Sequence, residues 1–354
     1  MVVMAFGVYV HVPFCARRCD YCAFATWTDR HHLTTRYLHA VVAEARAAVE
    51  AGMAPVTSVF FGGGTPSMVP AEDLMAVLDE LPLAPGAEVT VECNPDNVDG
   101  PLLATYRAHG VNRVSLGVQA MVPSVLVALG RTHDEANVRR AVDLVREAGF
   151  PTFNLDLIYG GAGETLDDWC RTLERAVELD PPHVSAYALT VEAGTPLADD
   201  PSRHPDDDDQ ADKYVAADEA LTAVGLACYE ISNWARSGHE CRHNLLYWAQ
   251  GDYLGLGCAA HSHRAGRRWW NVRTPERYCQ LVEAGGPAEA AGESLDAETQ
   301  RLEGLQLALR TRDGVPMGSL DTDGLDGLVE VRGRRVVLTR AGRLLANELS
   351  TRLR

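Results

Sequence analysis

Six short runs rich in β-branched and aromatic residues, each leading into a stretch with helical periodicity, constrain this chain more than any other feature. GVYVHV precedes a helix over about 35–51, VTSVFFG a helix over about 71–80, and EVTVEC a helix over about 99–109. NRVSLGV, TFNLDLIYG and HVSAYAL continue the series, with helices over about 134–148 and 167–178 between them. Such alternation predicts an α/β fold built on a parallel sheet with outer helices, either an open (β/α)6 barrel or a doubly wound sheet. In both architectures the ligand site lies at the carboxyl ends of the strands, where the conspicuous motifs of this sequence fall.

At 354 residues the chain is long for a single core. The stretch PSRHPDDDDQADKY marks a boundary, so that residues 1–208 form the barrel and 209–292 a helical connecting region that opens with a helix over about 210–224. The four aspartates 206–209 read as a solvated turn and helix start, with metal binding the alternative. Residues 293–354 read as a winged-helix-like module, a helix, the hairpin LVEVRGRRVVLT and a last helix, packed so as to close over the barrel mouth. A net charge of -17 argues against nucleic acid and anionic membrane as partners. No apolar run reaches the length of a membrane span, no basic leader precedes the first strand, and nine cysteines, an odd number, suit a reducing compartment. The protein is therefore expected to be cytoplasmic, with its cysteines outside the first cluster mostly buried.

Cys15, Cys19 and Cys22 stand at C-x-x-x-C-x-x-C spacing in YVHVPFCARRCDYCAF. Three thiolates so spaced suit an iron-sulfur cluster one ligand short, which leaves one iron free for a substrate or cofactor. Zinc is the rival occupant, although structural zinc takes four protein ligands and no second C-x-x-C hook stands downstream; unligated thiols are the third option. Gly62-Gly63-Gly64-Thr65-Pro66 directly follows VTSVFF, where glycines let backbone amides approach a ligand or simply make a tight turn. Glu92, Gln119 and Asp156 fall late in the predicted strands, either converging on one cavity or capping the helices that follow. His243 sits in HNLLYW, a candidate ligand or a hydrogen-bonded core residue.

The cysteine run resembles the signature of the radical S-adenosylmethionine (radical SAM) superfamily, and the chain is similar almost end to end to its oxygen-independent coproporphyrinogen oxidase-like family. The resemblance implies the partial (β/α)6 barrel. It implies a 4Fe-4S cluster on Cys15, Cys19 and Cys22 whose open iron chelates SAM, and electron transfer that cleaves SAM to a deoxyadenosyl radical. Tyr9, Gly63, Gly64, Thr65, Glu92, Gln119, Arg131 and Asp156 match positions that contact SAM, with Arg131 in LGRTH the cation for its carboxylate. His11 would line the cluster pocket.

Two departures choose a branch of that family. The coproporphyrinogen dehydrogenases carry a fourth cysteine two residues after the third, where this chain reads Ala23-Phe24, and an N-terminal extension, where it has eight residues before Tyr9. Both departures match the heme chaperones of the family, as does HNLLYW, which resembles their HNxxYW motif. This branch implies heme held by His243 with Tyr247 and Trp248 against the porphyrin face; Cys241, two residues earlier and outside the motif, is an alternative thiolate ligand by position. It further implies delivery of heme to membrane respiratory enzymes and admits a homodimer, while the acidic charge leaves any membrane contact to a protein partner. The alternative is oxygen-independent coproporphyrinogen III dehydrogenase activity, an oxidative decarboxylation to protoporphyrinogen IX. Whether SAM is cleaved productively stays open at this point.

Overall fold

The computed structural model describes residues 5–354. β1 (Phe6–Val12), β2 (Val56–Gly63), β3 (Leu83–Cys93), β4 (Arg113–Gln119), β5 (Thr152–Tyr159) and β6 (His183–Ala188) pair in parallel and in that order. A doubly wound sheet would reverse its order at a switch point; consecutive order without reversal is that of a barrel. Helices Thr34–Glu50, Ala71–Asp79, Gly100–Ala108, Glu135–Glu147 and Leu166–Glu178 occupy the expected intervals. Asp134 and Thr165 start the last two with reciprocal capping boxes, each satisfying backbone donors that a helix end leaves free. Apolar faces such as Leu74, Val77 and Leu78, or Trp169 and Leu173, are fully buried against the strands.

Residues 209–292 are richer in strands than the helical connection expected of them. Helices Asp207–Ala223, Arg242–Trp248 and Pro275–Glu283 are present, and so are β7 (Ala227–Glu230), β8 (Asn233–Ala235), β9 (Asp252–Leu256), β10 (His261–Arg264), β11 (Arg267–Asn271) and β12 (Glu289–Ser294). β8 and β7 continue the sheet antiparallel beyond β6, while β9 pairs parallel to β1 and carries β10, β11 and β12 outward, making twelve strands. An open barrel has two raw edges of unpaired amides and carbonyls, and these strands satisfy them.

The last region has its own small core, in which Leu309, Val315, Leu320, Leu325, Val336 and Leu349 pack together. It consists of helix Ala297–Leu309, a three-stranded sheet of β13 (Val315–Pro316), β14 (Val329–Arg332) and β15 (Arg335–Leu338), and helices Arg340–Leu344 and Ala346–Ser350. Its ion pairs run from Arg343 to Asp218, Arg340 to Glu219 and Arg312 to Glu240, and Arg312 N–H bonds the Tyr229 carbonyl. The module therefore packs along the β7 edge and beside helix Arg242–Trp248, where a cover over the cysteine end was expected. Among the described residues no helix is long and apolar enough to cross a membrane.

Candidate active site

The three cysteines share a loop between β1 and the first helix. The loop is pinned by Cys15 N–H to the Trp27 carbonyl at 3.1 Å and Trp27 N–H to the Pro13 carbonyl at 2.8 Å. All three thiols are half-buried. Burial pushes Cys15 and Cys22 above the usual thiol range, and neighbouring thiolates push them further. Such a group loses its protons readily only around a cation, and three thiols without a protein fourth ligand are the donor set an open cluster requires. As they stand, no three His, Cys, Asp or Glu side chains among the described residues enclose an ion.

The glycine turn fits against this loop. Gly64 N–H bonds the Val12 carbonyl at 2.7 Å, Thr65 N–H bonds the Phe14 carbonyl at 2.8 Å, and Thr65 Oγ1 lies 3.7 Å from Cys15 Sγ. A β-carbon on Gly64 would stand 2.6 Å from the Phe14 carbonyl oxygen. Gly63 has φ of +107°, and a β-carbon there would stand 2.4 Å from the His11 ring. Both positions are thus restricted to glycine by space, and Gly63 by conformation as well.

Side chains alternate along the strands, so every second residue of β1–β6 faces the lumen. Glu92 and Asp156 meet there. Burial, then the Asp156 charge, raises Glu92 to about 8 against an opposing bond from Gly63 N–H at 3.2 Å. Burial likewise raises Asp156, although Ser115 Oγ at 2.8 Å and Asn154 Nδ2 at 2.7 Å donate to it. Tyr9 OH donates to His11 Nδ1 at 3.0 Å, and His11 Nε2–H donates to the Ala25 carbonyl at 2.9 Å, which fixes the tautomer. Burial lowers His11 to about 4, so it is neutral and faces the cysteine loop without competing as a cation.

Gln119 closes β4 at φ of +65°, a left-handed conformation that a non-glycine residue rarely holds. Arg131 donates to the Gly117 carbonyl at 3.0 Å and lies 3.9 Å from Cys19 Sγ, which brings one guanidinium to the rim of the cysteine loop. Tyr9, Glu92, Asp156 and His243 line a single cavity of about 180 Å³, with Cys241 also on its wall, while Cys15, Cys19, Cys22, Gln119 and Arg131 lie outside its lining.

His243 belongs to helix Arg242–Trp248, which plugs the lumen from the amino-terminal side of the strands. Glu88 receives the helix start, accepting from Arg242 N–H and His243 N–H at 3.0 Å each. The imidazole is 1% exposed, with Nδ1 2.9 Å from Ser58 Oγ and Nε2 2.8 Å from Tyr247 OH, and burial lowers it to about 3. Both ring nitrogens are in use. The Cys241 thiol is buried, 3.6 Å from Glu88 Oε1, and pushed up to about 12, an environment hostile to a thiolate ligand.

Sequence reasoning missed Glu88, Ser115 and Asn154. Glu88 and Glu92 are four apart in one strand and must share a face, which is the signal that could have found the first.

The chain matches the Radical SAM superfamily over residues 9–176. It is 44% identical to the heme chaperone HemW of Mycobacterium tuberculosis over 97% of this chain and 93% of that one. It is 32% identical to the heme chaperone HemW of Bacillus subtilis, over 97% of each. The solved structure of coproporphyrinogen III oxidase (HemN) from Escherichia coli, a radical SAM enzyme, superposes with a TM-score of 0.85 over 98% of this chain and 89% of that one. At 24% identity that likeness speaks for the fold alone.

Proposed function

This chain belongs to the HemW family within the radical SAM superfamily, and we propose that it binds heme, together with a 4Fe-4S cluster and SAM, and delivers the heme to respiratory enzymes. The observation that carries the reading is the shared lumen: the HNLLYW helix plugs one end of the barrel whose other end bears the three-thiol loop. Cys15, Cys19 and Cys22 would hold the cluster, and a reduced cluster of this open type supplies one electron to a ligand on its free iron. Tyr9, Gly63, Gly64, Thr65, Glu92, Gln119, Arg131 and Asp156 are assigned to SAM.

The physical roles differ. Arg131 offers its cation to a carboxylate, the glycine turn offers backbone contact without side-chain interference, and Glu92 and Asp156 offer acceptors whose ionisation a bound cation favours. Heme belongs at the HNLLYW segment, where His243 is the motif's own imidazole and Tyr247 and Trp248 supply aromatic surface. Phe24, 64% exposed, stands where the decarboxylating relatives carry a cysteine, and the likeness to one of them is a likeness of fold alone. The test is transfer: heme-loaded protein mixed with a heme-free membrane respiratory enzyme should restore that enzyme's heme spectrum and activity. Heme that stays on this chain through repeated mixing contradicts delivery.

A further inference from the structure

We propose that the imidazole that takes heme iron in this chain is His263 on β10, and that His243 serves to hold the HNLLYW segment in shape. The proposal rests on the heme-binding reading above and specifies its ligand.

His263 is 7% exposed. Its Nδ1–H donates to the Gly251 carbonyl at 3.0 Å, with the Asp252 carboxylate 3.8 Å from the same nitrogen. A carbonyl can only accept, so Nδ1 carries a proton, and in the neutral ring Nε2 carries the lone pair. That Nε2 is buried and has no hydrogen-bond partner among the described residues. Leaving a buried polar atom unpaired costs about 1–3 kcal/mol, which a ligand atom bound there would recover. An imidazole oriented by a carbonyl or carboxylate on one nitrogen, with the other free, is the arrangement proteins use to present a metal ligand.

His243 is built the other way. Ligation through its Nε2 would break the bond to Tyr247, its Nδ1 is held by Ser58, and it faces a cavity of about 180 Å³.

One row of rings joins the two histidines. Phe60 stacks on His243 at 5.5 Å, His243 meets Tyr247 at 4.7 Å, Tyr247 meets Tyr253 at 4.5 Å, and Tyr253 meets His263 at 6.3 Å between centroids. The motif's aromatic surface therefore runs out to His263. Helix Ala297–Leu309 lies alongside, with Glu303 bonded at 3.0 Å to Arg268, the register partner of His263. Gln250, whose side-chain amide is also buried without a partner, faces Gly304 of that helix. Leu309 is the helix's only buried residue, and Leu305 and Ala308 pack partly buried against the small C-terminal core, so the helix is anchored at its end and its earlier turns are the part that can move away from Arg268. Opening frees Arg268, a cation suited to a propionate carboxylate. His261, two residues earlier, is exposed and stacks on Trp270 at 5.6 Å, with no anchored nitrogen to orient it.

The test is ferric heme titration of the full-length protein, read by absorption and electron paramagnetic resonance. Wild type should show histidine ligation. In His263→Asn the side-chain amide keeps the bond to Gly251 and removes only Nε2; it should lose the histidine-ligated spectrum and bind roughly tenfold or more weakly. His263→Cys should convert it to thiolate ligation, whereas His243→Ala, which loosens the HNLLYW segment, should weaken binding without removing the histidine-ligated spectrum. If His263→Asn fails to fold by circular dichroism, the His263→Cys spectrum decides. An unchanged spectrum and affinity in His263→Asn, or loss confined to His243→Ala or His261→Ala, overturns the assignment while heme binding stands. A wild-type protein that binds no heme overturns the heme reading itself, and this inference with it.

Discussion

At Gly63 a single methyl group separates a working turn from a blocked one. Alanine there would stand 2.4 Å from the His11 ring at φ of +107°. Gly63→Ala should cost about 1–3 kcal/mol in thermal or denaturant unfolding and lower the iron bound on anaerobic reconstitution, because His11 must leave the Ala25 carbonyl. Equal stability and iron content would show that the turn relaxes freely. Glu92 makes a second residue-scale prediction. With its folded-state value raised to about 8, the native state keeps a proton that the unfolded chain has lost above the ordinary carboxylate range. Stability of the cofactor-free protein should therefore fall as pH rises to about 8, and Glu92→Gln should make that slope shallower, with Glu44, Asp156, Glu164 and Glu230, also raised by burial, supplying the rest. The comparison is cleanest between pH 6.5 and 8. Below that window His11 and His243, held neutral, give the opposite slope. The cysteines, Glu92 and Asp156 were legible because spacing and strand alternation are local signals. His263 was not, since its significance lies in which nitrogen Gly251 occupies.

Among the elements, the helix Asp207–Ala223 shows how a charge run becomes structure. Asp206 caps it, as a solvated helix start should, but Asp209 turns inward to Lys213, the sole lysine of the chain. Lys213 Nζ is fully buried and donates to Asp209 at 2.6 Å and to the Glu164 carbonyl at 2.7 Å, with the Glu164 carboxylate at 3.3 Å. Glu164 in turn accepts from Gly160 N–H at 2.6 Å, so one ammonium ties this helix to the loop after β5. Lys213→Met should cost about 3–5 kcal/mol by leaving Glu164 buried without its cation. Adding Glu164→Gln should recover part of the loss in the same denaturant titration; no recovery would mean that packing, not charge, is at stake. The first six strands were legible as alternating apolar runs. HSHR, RRWWN and EAAGES carry no such pattern, and their pairing across the sheet edge is decided by what they join, which is why 209–292 read as helical.

For the molecule as a whole, the barrel, its two extended edges and the module along β7 place a three-thiol loop and an aromatic helix at opposite ends of one lumen. The -17 net charge then makes direct docking on anionic lipid unfavourable, so association with anionic vesicles at physiological salt should be undetectable by flotation, and clear flotation would contradict contact through a protein partner. One reconstituted sample offered two porphyrins separates heme delivery from porphyrinogen oxidation. Anaerobically reconstituted protein with SAM and a reductant should bind ferric heme to a saturable, histidine-ligated spectrum and leave coproporphyrinogen III unconverted. Repeated turnover of coproporphyrinogen III to protoporphyrinogen IX with deoxyadenosine, and no saturable heme spectrum, would contradict it.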